Sequence, residues 1–233
     1  MKVSLATLTA TVLLSALYMA LADDTQTDAL RKQGVKVERL PDGRTRLGRV
    51  TIDARRRTIE FDGKVNMREG LVELLACTLD GKVHESVLVA DVRPLHLQLA
   101  LLTLGLNPGR NPGIPSDAGD KRKPGDMATI EVSWMEGEKR RTVRAEELIW
   151  HRPQQRAMER TEWVFLGSVI EEGGIAADAT GSLITTYHDP TAILENLLPT
   201  VADDTLYFAN SRVAPPVGTK VTVTITAVKM KDP

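Results

Sequence analysis

The stretch at residues 70–106, GLVELLACTLDGKVHESVLVADVRPLHLQLALLTLGL, most constrains what this chain can fold into. Two apolar, β-prone runs flank Asp80-Gly81, and a leucine-rich run follows. Asp-Gly between such runs is a strong hairpin signal, because a type I′ turn needs positive φ at both central residues. The spacing predicts an antiparallel hairpin of Leu71–Leu79 with Lys82–Val89, in which Cys77 faces His84 and Leu75 faces Ser86. Alternation across the strands puts Cys77, His84 and Ser86 on one mixed face and turns Glu85 to the other. Asp91 and Pro94 then predict a helix start. Leu95–Leu104 reads as a helix buried on several sides, with Gly105 as its stop. The same stretch holds the only cysteine, Cys77, and two of the four histidines, His84 and His96.

Elsewhere the chain reads as short β segments separated by turn residues. Pro41-Asp42-Gly43 predicts one hairpin, Ala54–Arg57 joins a second strand pair, and Glu136-Gly137-Glu138 turns a third. Arg55, Arg56 and Arg57 read as a solvated turn that discourages edge pairing. Thr219–Val228 is β-branched and alternating, as a half-buried strand should be. Ala145–Trp150 is expected to form a helical turn, and His151–Glu162 a polar, exposed segment. Asp189-Pro190 should start a short helix running to Leu197. Residues 107–127, dense in Pro and Gly, read as a flexible loop between two halves of one unit. The fold class expected is α+β: β-dominated, with antiparallel hairpins, one buried central helix and a second short helix.

At the N-terminus, Lys2 precedes the apolar run Leu5–Leu21 and the small-x-small site Ala20-Leu21-Ala22, the pattern of a signal peptide. Residues 1–22 are expected to be removed, leaving 23–233 as a single exported domain in the periplasm, the cell envelope or the medium. No later segment is long enough to span a bilayer. A net charge of -1 and an aromatic content of 4% argue against nucleic acid as a partner. One cysteine allows no internal disulfide, so the core alone must hold the fold.

Three chemistries are open to the reactive residues. Cys77, His84 and His96, with Glu85 assisting, are suitable metal-ligand types, although no tight motif such as His-Glu-x-x-His is present. Cys77 and His84 could pair as nucleophile and base, with Glu73 or Asp91 orienting the base. The Leu-Leu-Ala-Cys context is equally that of a small buried hydrophobe. In the third reading His84, Glu85 and Ser86, buttressed by His96, form a satisfied polar network that pins hairpin to helix.

Several of these residues carry a resemblance. His84-Glu85-Ser86-Val87-Leu88, His96 within a helix ending Leu104-Gly105-Leu106, Pro108-Gly109, and Trp163-Val164-Phe165-Leu166-Gly167-Ser168 together resemble the bacterial YdjY domain. The resemblance runs from about Ile59 to Ile225. It implies an exported bacterial protein and no defined activity. Some relatives carry iron–sulfur descriptions, but such a cluster needs several Cys thiolates and this chain has one, so no iron–sulfur cluster is expected. The function expected is a non-catalytic binding or accessory module of the cell envelope, engaging a protein, peptide or polymer. The alternative is a metal- or thiol-dependent envelope enzyme centred on Cys77, His84 and His96.

Overall fold

The computed structural model describes residues 35–114, 122–171 and 174–228, so the expected signal peptide lies outside the described residues. The described residues open with an antiparallel meander of β1 (Val37–Arg39), β2 (Thr45–Leu47), β3 (Val50–Asp53) and β4 (Thr58–Val65). Then follow β5 (Leu74–Thr78), β6 (Ser86–Ala90) and helix α1 (Pro94–Thr103). The second half comprises β7 (Met127–Glu136), β8 (Lys139–Arg144), β9 (Ile149–His151), β10 (Arg156–Ala157), β11 (Trp163–Phe165), β12 (Ile170–Glu171), β13 (Gly174–Ile175), helix α2 (Ala176–Thr180), β14 (Ser182–Thr185), β15 (Leu194–Asn196), β16 (Tyr207–Ala209) and β17 (Lys220–Ala227).

Eight of these strands close into a barrel, in the order β4-β17-β7-β11-β15-β14-β5-β6 and back to β4. Closure removes the unpaired edges of the ring. It is completed where Gly63 of β4 pairs with Ala90 of β6. A Cβ at Gly63 would lie 2.8 Å from the Val89 carbonyl oxygen, so only glycine lets the two backbones meet there without displacement.

The barrel has two kinds of wall. β4, β17 and β7 are antiparallel and mostly alternate, with Ile59, Phe61, Val221, Val223, Ile225, Ile130 and Val132 turned inward. Their other face meets water, which is what strict alternation requires. The opposite wall is mixed. β5 runs parallel to β6 and β14 parallel to β15, while β14 is antiparallel to β5. All four strands are buried almost throughout, because the barrel interior covers one face and returning chain covers the other. Leu-Leu-Ala-Cys and Ser-Val-Leu-Val-Ala are continuous apolar runs for that reason.

This arrangement corrects the expected hairpin at Asp80-Gly81. The chain turns there, but residues 79–85 double back along β5 through a short 3-10 turn at Val83–Glu85, and β6 starts beside Leu74. Cys77 therefore pairs with Val89, not with His84. The second helix is also displaced: Asp189-Pro190 leads through a turn into β15, and the short helix lies at Ala176–Thr180. Tyr207–Ala209 belongs to a separate small sheet, β10-β9-β16, and His151 on β9 is buried against Tyr207. The hairpins around 41–43, 54–57 and 137–138 form as the turn chemistry predicts.

Helix α1 carries seven buried residues out of ten, including Leu97, Ala100 and Leu101. Asp91 does not cap it; Asp91 pairs instead with Arg49 on the surface. The cap comes from α2. Asp178 Oδ1 accepts the Leu95 N–H at 3.0 Å, and its Oδ2 accepts Arg93 Nε and a guanidinium N–H at 3.0 and 2.9 Å. At the other end Gly105, at φ 82, closes a Schellman motif: its N–H donates to Leu102 and the Leu106 N–H to Leu101. Gln98 fixes the helix laterally by accepting the Ser168 N–H at 2.8 Å. No helix among the described residues is long and apolar enough to cross a membrane.

Asp178→Ala removes a helix cap and leaves Arg93 unpaired. It is expected to cost about 1–2 kcal/mol, a fall of roughly 2–8 °C in Tm at this chain length, measured by calorimetry.

Candidate functional site

The mixed wall brings two returning segments together on the outside of the barrel: residues 79–85 between β5 and β6, and residues 186–193 between β14 and β15. They meet at Glu73. Its N–H donates to the Glu85 carbonyl, and its carbonyl accepts the N–H groups of Thr186 and Tyr187. Gly81 and Gly181 touch nearby. A Cβ on Gly181 would lie 2.5 Å from the Gly81 Cα, and Gly181 sits at φ 72, so two glycines are needed for the backbones to pass.

The first segment and the two strands it joins hold four of the five residues that the sequence singles out. Cys77 on β5 points outward beneath Gly81, whose Cβ would lie 3.2 Å from the Cys77 Cβ. The thiol is fully buried with Leu74 and Val89 in a small cluster of its own. Burial pushes its pKa up, with the Ser86 hydroxyl alongside opposing in part and Glu85 adding to the rise. Ser86 is buried and donates its hydroxyl to the Lys82 carbonyl at 2.7 Å. Asn66 braces the segment from β4's end, donating its amide to the Val83 and Ser86 carbonyls. Glu85 shares Lys82 with Glu73, at 3.4 and 3.6 Å. Burial, then the Glu85 charge, raises the Glu73 pKa. Burial also opposes the Lys82 charge, but Glu85, Asp189 and Glu73 outweigh it and raise its pKa. His84 stands outside this knot, 78% exposed, with its ring 3.7 Å from Glu85.

His96 is elsewhere. It packs on α1 beneath the β2–β3 turn, where a Cβ on Gly48 would lie 2.2 Å from its Nδ1. Burial and Arg93 lower its pKa. The triangle of Cys77, His84 and His96 therefore does not form. Among the described residues no three of His, Cys, Asp and Glu converge in a way that could hold a metal ion.

The second segment contains a buried carboxylate that the sequence reading missed. Glu195 of β15 is inaccessible and accepts His188 Nδ1 at 2.9 Å, the Asp189 N–H at 3.1 Å and the Asn111 amide at 2.6 Å. Asn111 also donates to the Asn196 carbonyl. Asp189, beside them, accepts Ser182 Oγ at 2.7 Å and both the N–H and the hydroxyl of Thr191. Burial works against its charge, yet these bonds and Lys82 hold its pKa below the usual carboxylate value. His188 is half-exposed with a carboxylate behind it. That arrangement can orient a base, but no hydroxyl or thiol of a described residue bonds its outer nitrogen. Glu195 could have been suspected as the one charge in the apolar run Ile193–Leu198, though nothing in the spacing points to His188 as its partner.

The stems of the 107–127 loop are part of this structure and not loose connections. Arg110 bonds Lys123, Asp126 bonds Asn107, and the Gly109 N–H reaches Phe165 of β11. Residues 115–121 lie outside the described residues. On the barrel's outer wall a groove of about 580 Å³ stays open between the first segment and β7, lined by Leu79, Val89, Trp134, Met135, Lys64 and Arg140.

Burial outweighs the favourable bonds to Asn111 and His188 and raises the Glu195 pKa. The folded protein thus holds this proton more tightly than the unfolded chain does. The stability it contributes is full below the ordinary glutamate value of 4.5 and declines as pH rises through the raised folded value. Thermal unfolding followed from about pH 4 to pH 8 should show the wild type losing Tm relative to Glu195→Gln as pH increases.

Comparison with curated proteins and with solved structures returned no significant match. The YdjY domain matches residues 50–226, from β3 through nearly all of β17 and including both returning segments, so the chain belongs to the YdjY domain family.

Proposed function

We propose that this YdjY protein is a non-catalytic binding or accessory module of the cell envelope. The observation that carries the reading is the state of Cys77. Its thiol is sealed beneath Gly81, its pKa is raised, and its neighbours are Leu74, Val89 and Ser86 in place of a base. A nucleophilic cysteine needs a lowered pKa and access, and this site opposes both. Glu73, Lys82, Glu85, Asp189 and Glu195 bond one another or the returning segments, which suits a network that fixes shape. The open groove beside Leu79 suits a binding role. Export rests on the leader at residues 1–22, and the partner class is an envelope protein, peptide or polymer.

The test uses full-length protein without a histidine tag. Native Cys77 should resist a small alkylating agent until denaturant is added, and the purified protein should carry no stoichiometric metal. Rapid labelling of the native thiol would overturn the module reading. So would bound metal that is lost in both His84→Ala and His96→Ala with folding intact. Export is checked separately: protein recovered from the envelope fraction should begin at Asp23, and a mature N-terminus at Met1 contradicts it.

A further inference from the structure

The small sheet β10-β9-β16 buries one face fully and leaves Trp150 and Phe208 on the other half-buried. His151 and Tyr207, directly opposite each other, point inward and meet edge to face at 5.4 Å. Trp150 and Phe208, the next cross-strand pair, therefore point outward. Opposed side chains on neighbouring strands have Cβ atoms about 5 Å apart, so the two rings form one patch. Each ring carries an arginine. Arg212 lies over Trp150 with Cζ 4.4 Å from the ring centroid, and Arg152 lies over Phe208 at 4.9 Å. Leu71, bridged to Phe208 and 39% exposed, extends the patch.

These arginines differ from the other stacked one. Arg141, over Trp134, is paired with Glu136 at 3.2 Å. Arg152 and Arg212 are exposed, and neither side chain has an ion pair or hydrogen bond among the described residues. Glu147, the acidic residue nearest Arg152 in sequence, is taken up by Arg160 and the Arg144 N–H. Stacking holds each guanidinium flat on its ring and leaves its N–H edge available for a planar, bidentate acceptor. A carboxylate matches that fork. Trp, Phe and Arg are also the residues that dominate the energetic centres of protein interfaces. The outer edge of β16 is already closed by the Gly70–Val72 backbone, so a partner cannot add as a strand at that edge and is offered the face instead.

We infer that the face formed by Trp150, Phe208, Arg152, Arg212 and Leu71 docks a partner protein whose surface presents carboxylates beside apolar side chains. The inference rests on the binding-module reading and names the partner's chemistry. Preorganised guanidiniums lose little freedom on binding, and two unpaired charges on adjacent rings give the face both its attraction and its register.

The probe is a fluorescent peptide alternating Glu with Phe and Leu, titrated into full-length protein by anisotropy. Binding is expected to perturb tryptophan emission and to weaken as salt rises. The double variant Arg152→Gln/Arg212→Gln should weaken it about tenfold or more. Arg55→Gln/Arg56→Gln, which removes two exposed charges from the β3–β4 turn, should leave it unchanged. Equal loss in both double variants, or no binding to the wild type, overturns the proposal. Preferential competition by polygalacturonate or polyphosphate for the same face overturns the protein partner in favour of a polymer. Failure of the peptide with Cys77 inert and no metal bound removes this surface alone, whereas a reactive Cys77 or stoichiometric metal removes the module reading beneath it.

Discussion

The backbone of Glu73 carries the constraint on which the rest of the structure depends. Its N–H and carbonyl tie the end of one returning segment to the start of the other. Parallel neighbours ordinarily need a long crossover connection, commonly a helix. Here two parallel pairs are joined by short segments that fold straight back over their own strands. Such a segment leaves many backbone groups close to the core, and buried ones must find partners. Asn66, Ser86, Glu195, Asn196 and Asp189 supply them. The concentration of polar side chains on this wall follows from its topology.

The same topology explains what could be read from sequence and what could not. β7, β17 and the first half of β4 are legible because water on one side enforces alternation, and the turns at 54–57 and Gly137 signal the hairpins of β4 and β7. Helix α1 was legible from its leucines and from Gly105, although its cap, Asp178, comes from the far half of the chain and leaves no local trace. β5 and β6 were read as strands but paired in the wrong sense. Burial on both faces erases the period, and Asp80-Gly81 signals a turn without saying whether the chain goes on beyond the strand or back across it. Gly81 does the latter because Gly181, one hundred positions away, has no side chain to stop it.

The candidate site divides along the same line. Cys77, Ser86 and Glu85 are neighbours, so the sequence located the right stretch, yet a parallel register brings them together where a hairpin was expected. His84 faces solvent, since it lies on the outer side of the 3-10 turn. His96 is drawn away by the direction in which α1 leaves β6, toward Gly48. Glu195, His188 and Asn111 assemble from two distant segments, and only the fold makes them adjacent.

Closure of the ring also sets an order of events. β17 lies between β4 and β7, and Thr222 bonds Asp62 across 160 positions of chain. Until β17 is present, the facing edges of β4 and β7 have no neighbour, and much of the core between them stays open. Loop closure over such a distance adds only a modest entropic term, but topologies dominated by distant pairings fold slowly. A chain growing from its N-terminus therefore cannot close the barrel until β17, the last strand among the described residues, fills the gap between β4 and β7.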